Sequence, residues 1–229
     1  MPVFFKEEGI VCFSGKGYRT NTHAHFALEL AFATTGYINI SGSSQDYNKI
    51  KAAIISPNTL HSFDCSDGAC FIFFIDPTSK MGEYLSEYYN LPGKDIVALD
   101  ESEVLRFKNG GDFSLPDCVN CKNREITDRI YHCTNLIEKH ISEETLTIRT
   151  LSKELFISES RLAHLFKEEM GISIQQYILW KKMETAFKRY VNGYSLTDCA
   201  HFSGFSDSSH LNKTFRKMFG IHPSFANKK

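Results

Sequence analysis

With 229 residues, 42% apolar and 23% charged, the chain has the composition of a globular protein with enough apolar residues for two modest cores. No stretch reaches the eighteen or so apolar residues of a membrane span. The opening "MPVFFKEEGI" turns acidic without a hydrophobic run, so neither a secretory leader nor a membrane partner is expected, and the cytoplasm is. The net charge of −1 hides an asymmetry: residues 1–112 carry 9 Lys+Arg against 14 Asp+Glu, residues 146–229 carry 13 against 7. A basic C-terminal region points to a polyanion, nucleic acid first.

In chain order, residues 1 to about 76 read as short strands. "AHFALELAFA", "YINI", "KAAIIS" and "ACFIFFI" are apolar or alternating runs between Gly, Ser, Asn and Asp clusters, a pattern that suits a small β-barrel or sandwich. Within them, His23, His25 and Glu29 occupy odd positions. On an unbroken strand they share one face, with Ala24, Phe26, Leu28, Leu30 and Phe32 on the other. His61 lies on a later strand and can close the site. Imidazoles with one carboxylate suit a borderline divalent ion such as Zn, Fe, Mn, Ni or Cu. The competing reading is a metal-free barrel whose histidines line a pocket for an organic ligand.

Residues 79–89, "SKMGEYLSEYY", read as a short helix ended by Asn90 and Pro92. Gly, Pro and Asn then interrupt any period, and residues 113–125 are taken as a linker between domains at 1–112 and 126–229. Cys118 and Cys121 ("DCVNC"), with His132 and Cys133, form a candidate thiol site for zinc or redox chemistry. Cys133 also falls on the apolar stripe of the next helix, so linker thiols plus one core cysteine is the bland alternative. Seven cysteines, an odd number, argue against a disulfide framework. Cys65 and Cys70 flank an expected hairpin turn and receive no role.

From Ile126 the period changes to 3.6: Ile126, Ile130, Cys133, Ile137 and Ile141 form one stripe. A diverged repeat follows. "LSKELFISESRLAHLFKEEMG" from Leu151 and "CAHFSGFSDSSHLNKTFRKMFG" from Cys199 align at an offset of 48, becoming 49 after one inserted residue. Each copy reads as a helix, a tight turn, and a second helix. Ser158 and Ser206 are the expected N-caps, and Gly171 and Gly220 the expected ends. Between the copies, Tyr177, Trp180, Met183, Phe187 and Tyr190 make the buried stripe of a spacer helix. Its other face offers Lys181 and Lys182 to solvent or phosphate.

The second copy, with Ala200, Gly204, Phe205, Ser206, Phe215, Gly220 and Pro223, resembles the DNA-binding domain of AraC/XylS-family transcription regulators, as do Leu162, Phe166, Gly171 and the spacer helix. The resemblance implies an all-α domain with two helix-turn-helix units on a linker helix. It assigns Ser160, Ala163 and His164, and Ser209, Asn212 and Lys213, to the major groove. Arg161, Lys167, Arg216 and Lys217 have the chemistry of phosphate contacts. In the N-terminal half, Gly17, His23, His25, Glu29 and Gly36 match the spacing of the cupin fold's first motif. The second motif is partial: Pro57 and His61 are present, but Thr59 stands at the usual glycine. This implies an all-β, cupin-like double-stranded β-helix barrel serving as sensor of a metal ion or small molecule. The expected protein is therefore a regulator of transcription and not an enzyme. The alternative is a cupin-type metalloenzyme with an accessory nucleic-acid domain. RNA polymerase and a second copy of the chain are left open as further partners.

Overall fold

A computed structural model describes residues 3–7, 9–109, 112–116, 126–143 and 145–220. They fall into two compact units. One comprises the chain up to Lys122 together with the segment from Thr214 onward; the other is Asn123–Lys213.

The first unit contains β1 (Val3–Glu7), β2 (Ile10–Arg19), β3 (Leu28–Thr35), β4 (Ile38–Gly42), β5 (Asp46–Ile50), β6 (Ala52–Ile55) and β7 (His61–Ile75). After these come α1 (Lys80–Tyr88), β8 (Ile96–Leu99), α2 (Glu101–Arg106), and the short pair β9 (Lys108–Asn109) and β10 (Asp112–Phe113). One antiparallel sheet runs β1-β2-β7-β3-β6-β8, with β4 joining β7 and β5. The four expected strand runs are present as β3, β4, β6 and β7, and the expected helix as α1.

The hub is β7. Its first residues pair with β4, from His61 opposite Gly42 to Asp64 opposite Asn39. Its later residues pair with β3, from Ala69 opposite Thr35 to Ile75 opposite Leu28. Along β2 the register jumps from Ala69 opposite Lys16 to Cys65 opposite Tyr18. The intervening residues form a bulge, which bends the strand and curls the sheet towards a nearly closed barrel. Gly68 is required here, since a Cβ would collide with the Thr35 carbonyl oxygen. Cys65 and Cys70 therefore flank a bulge within one strand, not a hairpin turn; both are buried, and their proximity lowers the pKa of the Cys65 thiol and raises that of Cys70.

The alternation of β3 decides what each face carries. Leu28, Leu30 and Phe32 join Ile10, Cys12, Ala52, Ile54, Phe73 and Ile75 in a core closed by Met81 and Leu85 of α1. Each fully buried Leu, Ile or Phe side chain among them contributes about 1.5–3 kcal/mol. Ser79 starts α1 by accepting a hydrogen bond from Gly82 N. Glu29, out of step with the apolar residues, is left on the opposite, inner face.

The second unit is helical: α3 (Asp128–Lys139), α4 (Ile148–Glu154), α5 (Glu159–Met170), α6 (Ile174–Val191), α7 (Leu196–Phe202) and the beginning of α8 (Ser208–Phe219). Ile130, Cys133 and Ile137 of α3 are buried, as are Tyr177, Trp180, Met183 and Phe187 of α6. A reciprocal cap between Ser173 and Gln176 opens α6.

The two copies of the repeat differ at their joints. Ser158 caps α5 by accepting from Arg161 N, and Gly171 ends it at φ 75°. In the second copy the cap is Asp207, whose carboxylate accepts from His210 N at 2.7 Å; Ser206, expected in that role, meets the His210 ring instead. The inserted residue thus precedes the cap, and Asp207 is the counterpart of Ser158. At the turns, Phe156 (φ 51°) corresponds to Gly204 (φ 69°). Gly204 is held against the Ile141 carbonyl oxygen, where a Cβ would collide. Phe156 is 95% exposed and its side chain has room.

Candidate metal centre and nucleic-acid interface

The histidines are brought together by main-chain pairing. His23 and His61 form an isolated antiparallel bridge with two reciprocal hydrogen bonds of 2.9 Å, which sets their rings 4.4 Å apart. The chain then crosses to β3 through an irregular arm, held where the His25 carbonyl accepts from Asn58 N at 2.7 Å. The unbroken strand expected over His23–Glu29 does not form, because β3 begins at Leu28. The reason is a change of partner: His23 pairs with the start of β7, whereas Glu29 sits between Ile55 of β6 and Phe74 of β7. The four side chains nevertheless converge. One ligand atom from each of His23, His25, Glu29 and His61 lies within 4.8 Å of the others, and all four residues are buried.

Hydrogen bonding dictates the tautomers. The Nδ1 atoms of His23, His25 and His61 lie 2.9, 2.8 and 2.9 Å from the carbonyl oxygens of Asn21, Ala27 and Thr59. A carbonyl only accepts, so each ring spends its Nδ1 proton there and turns Nε2 inward. In the neutral rings three Nε2 lone pairs then face one carboxylate. His25 Nε2 is 3.0 Å from Glu29 Oε2; His61 Nε2 is 3.3 Å from the same oxygen but outside hydrogen-bonding geometry. Among the described residues, His23 Nε2, His61 Nε2 and Glu29 Oε1 are buried with no hydrogen-bond partner. Acceptors packed in this way need a cation between them, either a proton or a metal ion.

The titration of the cluster follows. Burial, with His61 and His25 alongside, lowers the pKa of His23 to about 4. Burial also opposes protonation of His61, but the adjacent Glu29 carboxylate outweighs it and raises the pKa. Glu29 is pushed up by burial and pulled down further by His25 and His61, ending well below the usual carboxylate range. The arrangement is a carboxylate that stays ionised beside imidazoles that compete for one positive charge.

The same unit supplies a roof, which no spacing in the sequence signals. Phe219 at the end of α8 is fully buried, edge-on to Phe74 at 4.8 Å and 6.4 Å from the His25 ring. Tyr18 Oη donates to the Phe219 carbonyl oxygen over 3.5 Å. Tyr18 and the three carbonyls that orient the imidazoles were equally invisible as site residues.

In the helical unit, Ser160, His164, Ser209 and Lys213 are exposed, and Ala163 is half-buried. Asn212 is also half-buried, and its Oδ1 is enclosed with no hydrogen-bond partner among the described residues. Arg161 and Lys167 are exposed, as are Arg216 and Lys217 further along α8. Lys181 and Lys182 are placed differently. Lys181 bridges Glu138 at 3.5 Å and the buried Glu184 at 3.4 Å, and Lys182 donates to the Gly204 carbonyl oxygen at 2.6 Å. Both ammonium groups therefore hold the helices together from the face where phosphate contacts were expected.

Only half of the thiol site falls on described residues. Cys118 and Cys121 lie outside the described residues. His132 is exposed while Cys133 is buried among the apolar side chains of α3, where burial pushes its thiol up to about 12.

With this geometry in view, residues 151–229 match the family model described as "Helix-turn-helix domain". The C-terminal region is thus similar to helix-turn-helix domains. The probable transcriptional regulator LumQ of Photobacterium leiognathi is 32% identical over 91 residues, 39% of this chain and 36% of that protein. The arabinose operon regulatory protein of Escherichia coli is 26% identical over 102 residues, 42% of this chain and 34% of that one. The chain thus matches about a third of the length of these relatives. Among solved structures, unsaturated fatty acid bound ToxT from Vibrio cholerae superposes with a TM-score of 0.55 at 13% identity, covering 94% of this chain and 93% of ToxT. That likeness extends the shared fold, a sheet-rich barrel followed by helices, over nearly the whole molecule. Among the described residues, no helix is long and apolar enough to cross a membrane.

Proposed function

We propose that the protein is a cytoplasmic, DNA-binding regulator of transcription of the AraC/XylS type, and that its cupin-like barrel holds a divalent transition-metal ion as effector. The helix-turn-helix match and the transcriptional regulators it shares that region with support the first part. On this reading α4–α5 and α7–α8 are two reading heads spaced by α6. Ser160, Ala163 and His164 in one, and Ser209 and Lys213 in the other, face the major groove. Arg161, Lys167, Arg216 and Lys217 contact phosphates. Asn212 reads a base only if its amide turns outward, and Lys181 and Lys182 are already engaged within the fold.

One observation carries the metal assignment: three buried acceptor atoms, His23 Nε2, His61 Nε2 and Glu29 Oε1, converge without hydrogen-bond partners. With His25 Nε2 they make an N3O donor set suited to Zn, Fe, Mn, Ni or Cu. Such an ion would supply positive charge to a carboxylate and three lone pairs that otherwise compete for one proton. The ligands come from the protein and the cluster is buried and roofed. That favours sensing over catalysis, which needs an open coordination position. An organic effector is the second reading, favoured by the fold shared with a ToxT bound to an unsaturated fatty acid.

Metal analysis by mass spectrometry, on protein purified without chelator and after chelation, tests the assignment. One equivalent of a single transition metal per chain is the expected result. Metal-free protein that takes up none on titration, but binds a fatty acid, would replace the metal with the organic effector.

A further inference from the structure

We propose that the last turn of α8 reads whether the histidine cluster is loaded, because Phe219 and Gly220 lie directly on His25 and His23. The inference rests on the metal reading above and adds to it the element that reports occupancy.

Two contacts carry it. Gly220, at φ 67°, packs so closely on the cluster that a Cβ there would fall 2.7 Å from Thr20 Cβ and 2.9 Å from His23 Nδ1. A side chain of any kind is thus excluded by both backbone conformation and space, and only glycine lets the helix end approach. The His23 ring is confined between this glycine and the Asn21 carbonyl that accepts its Nδ1 proton at 2.9 Å. Next to it, the Phe219 ring is wedged among Phe74 (4.8 Å), Phe13 (5.7 Å) and His25 (6.4 Å), with Phe215 behind at 4.9 Å. The Phe219 carbonyl oxygen is tethered by Tyr18.

Loading must disturb these contacts. Donors held tetrahedrally at the usual metal–nitrogen distance stand roughly 3.4 Å apart, whereas the four donor atoms here are spread over as much as 4.8 Å. Drawing the rings together shifts His23 away from Gly220 and His25 relative to Phe219. A close-packed contact of this kind does not stretch; it either repacks or releases. The helix then carries the change, since α8 runs unbroken from Ser208 to Phe219 and bears Ser209 and Lys213 on its earlier turns.

The test uses the chelator-stripped full chain. Zn(II) and Ni(II) are titrated calorimetrically, and hydrogen exchange of the peptide covering Thr214–Gly220 is followed with and without metal. The expected result is stoichiometric binding with a change in exchange of at least threefold at Thr214–Gly220 and none at α1, on the far side of the sheet. Tyr18→Phe, which removes only the tether, and Phe219→Leu, which keeps an apolar wedge, each shift the metal Kd by about threefold or more. Stoichiometric binding with unchanged exchange at Thr214–Gly220 and unchanged Kd in both variants would overturn the coupling while leaving the metal site standing. An equal change in exchange everywhere, α1 included, would overturn it too, as plain global stabilisation. If wild-type protein binds neither metal, the reading beneath it fails and the coupling with it.

Discussion

Polar groups are handled in opposite ways by the barrel and by helices α5 and α8. In the barrel, His23, His25, Glu29 and His61 converge, are buried, and share one electrostatic problem. On α5 and α8, Ser160, Arg161, His164, Lys167, Ser209, Lys213, Arg216 and Lys217 stand exposed, with water to satisfy them. Burial makes the first set coupled and costly to alter; exposure makes the second set nearly independent and sensitive to salt. A sensor needs the first property and a polyanion-binding face the second.

The largest expected effect comes from removing two of the proposed ligands at once. His25→Ala with His61→Ala is expected to abolish stoichiometric divalent-metal binding, measured by calorimetry; retained binding would mean that the ion sits elsewhere. A smaller effect is a pH signature of the apo cluster. His23 titrates at about 4 in the folded chain against an ordinary 6.5. Between these values the unfolded chain holds the proton and the folded one does not, so stability falls as pH drops from 6.5 to 4, by roughly 3 kcal/mol at most. His61, with its pKa raised, works in the other direction: its contribution is complete below pH 6.5 and fades as pH rises through the higher folded value. Thermal melts of chelator-treated His23→Gln should therefore lose acid sensitivity relative to wild type.

On the exposed side, Lys213→Ala should weaken specific DNA binding by about 1–3 kcal/mol and alter base preference, as read by binding to a randomised duplex library. Arg216→Ala should weaken all sequences alike and lower the salt dependence. The smallest expected effect lies at the turn of the first repeat. Phe156→Gly relieves a left-handed conformation that Gly204 adopts without cost in the second copy, and should stabilise the protein by about 0.5–1 kcal/mol in urea melts. A loss of stability would show that the exposed ring packs on something.

Much of this was legible in the chain because local rules govern it. The four candidate donors could be picked out by spacing and residue type, and the left-handed Gly17 (φ 67°) and Gly36 (φ 68°) that bracket His23, His25 and Glu29 are positions where glycine is favoured. The buried stripes of α3 and α6 follow from a 3.6 period. What stayed hidden depends on partners far along the chain. The arm over residues 21–27 is irregular because His23 pairs with His61, a choice local propensity does not contain. Lys181 and Lys182 looked like phosphate contacts because they are basic on a polar face, but Glu138, Glu184 and the Gly204 carbonyl claim them. Ser206 lost the cap to Asp207 because a one-residue insertion has no fixed place in a diverged repeat. The Gly220 contact with Thr20 and His23 joins residues some two hundred positions apart, and the glycine's evident role as a helix end concealed it.

The proposed regulation stands on a single linkage, that an ion in the barrel changes how the helices bind DNA. The most direct measurement takes a duplex selected by the full chain from a random library and determines its Kd with one equivalent of metal and with chelator. A difference of tenfold or more, about 1.4 kcal/mol of coupling, that disappears in the His25→Ala, His61→Ala variant is the predicted result. Equal affinity in both conditions, in protein shown to bind one equivalent of metal, would contradict it.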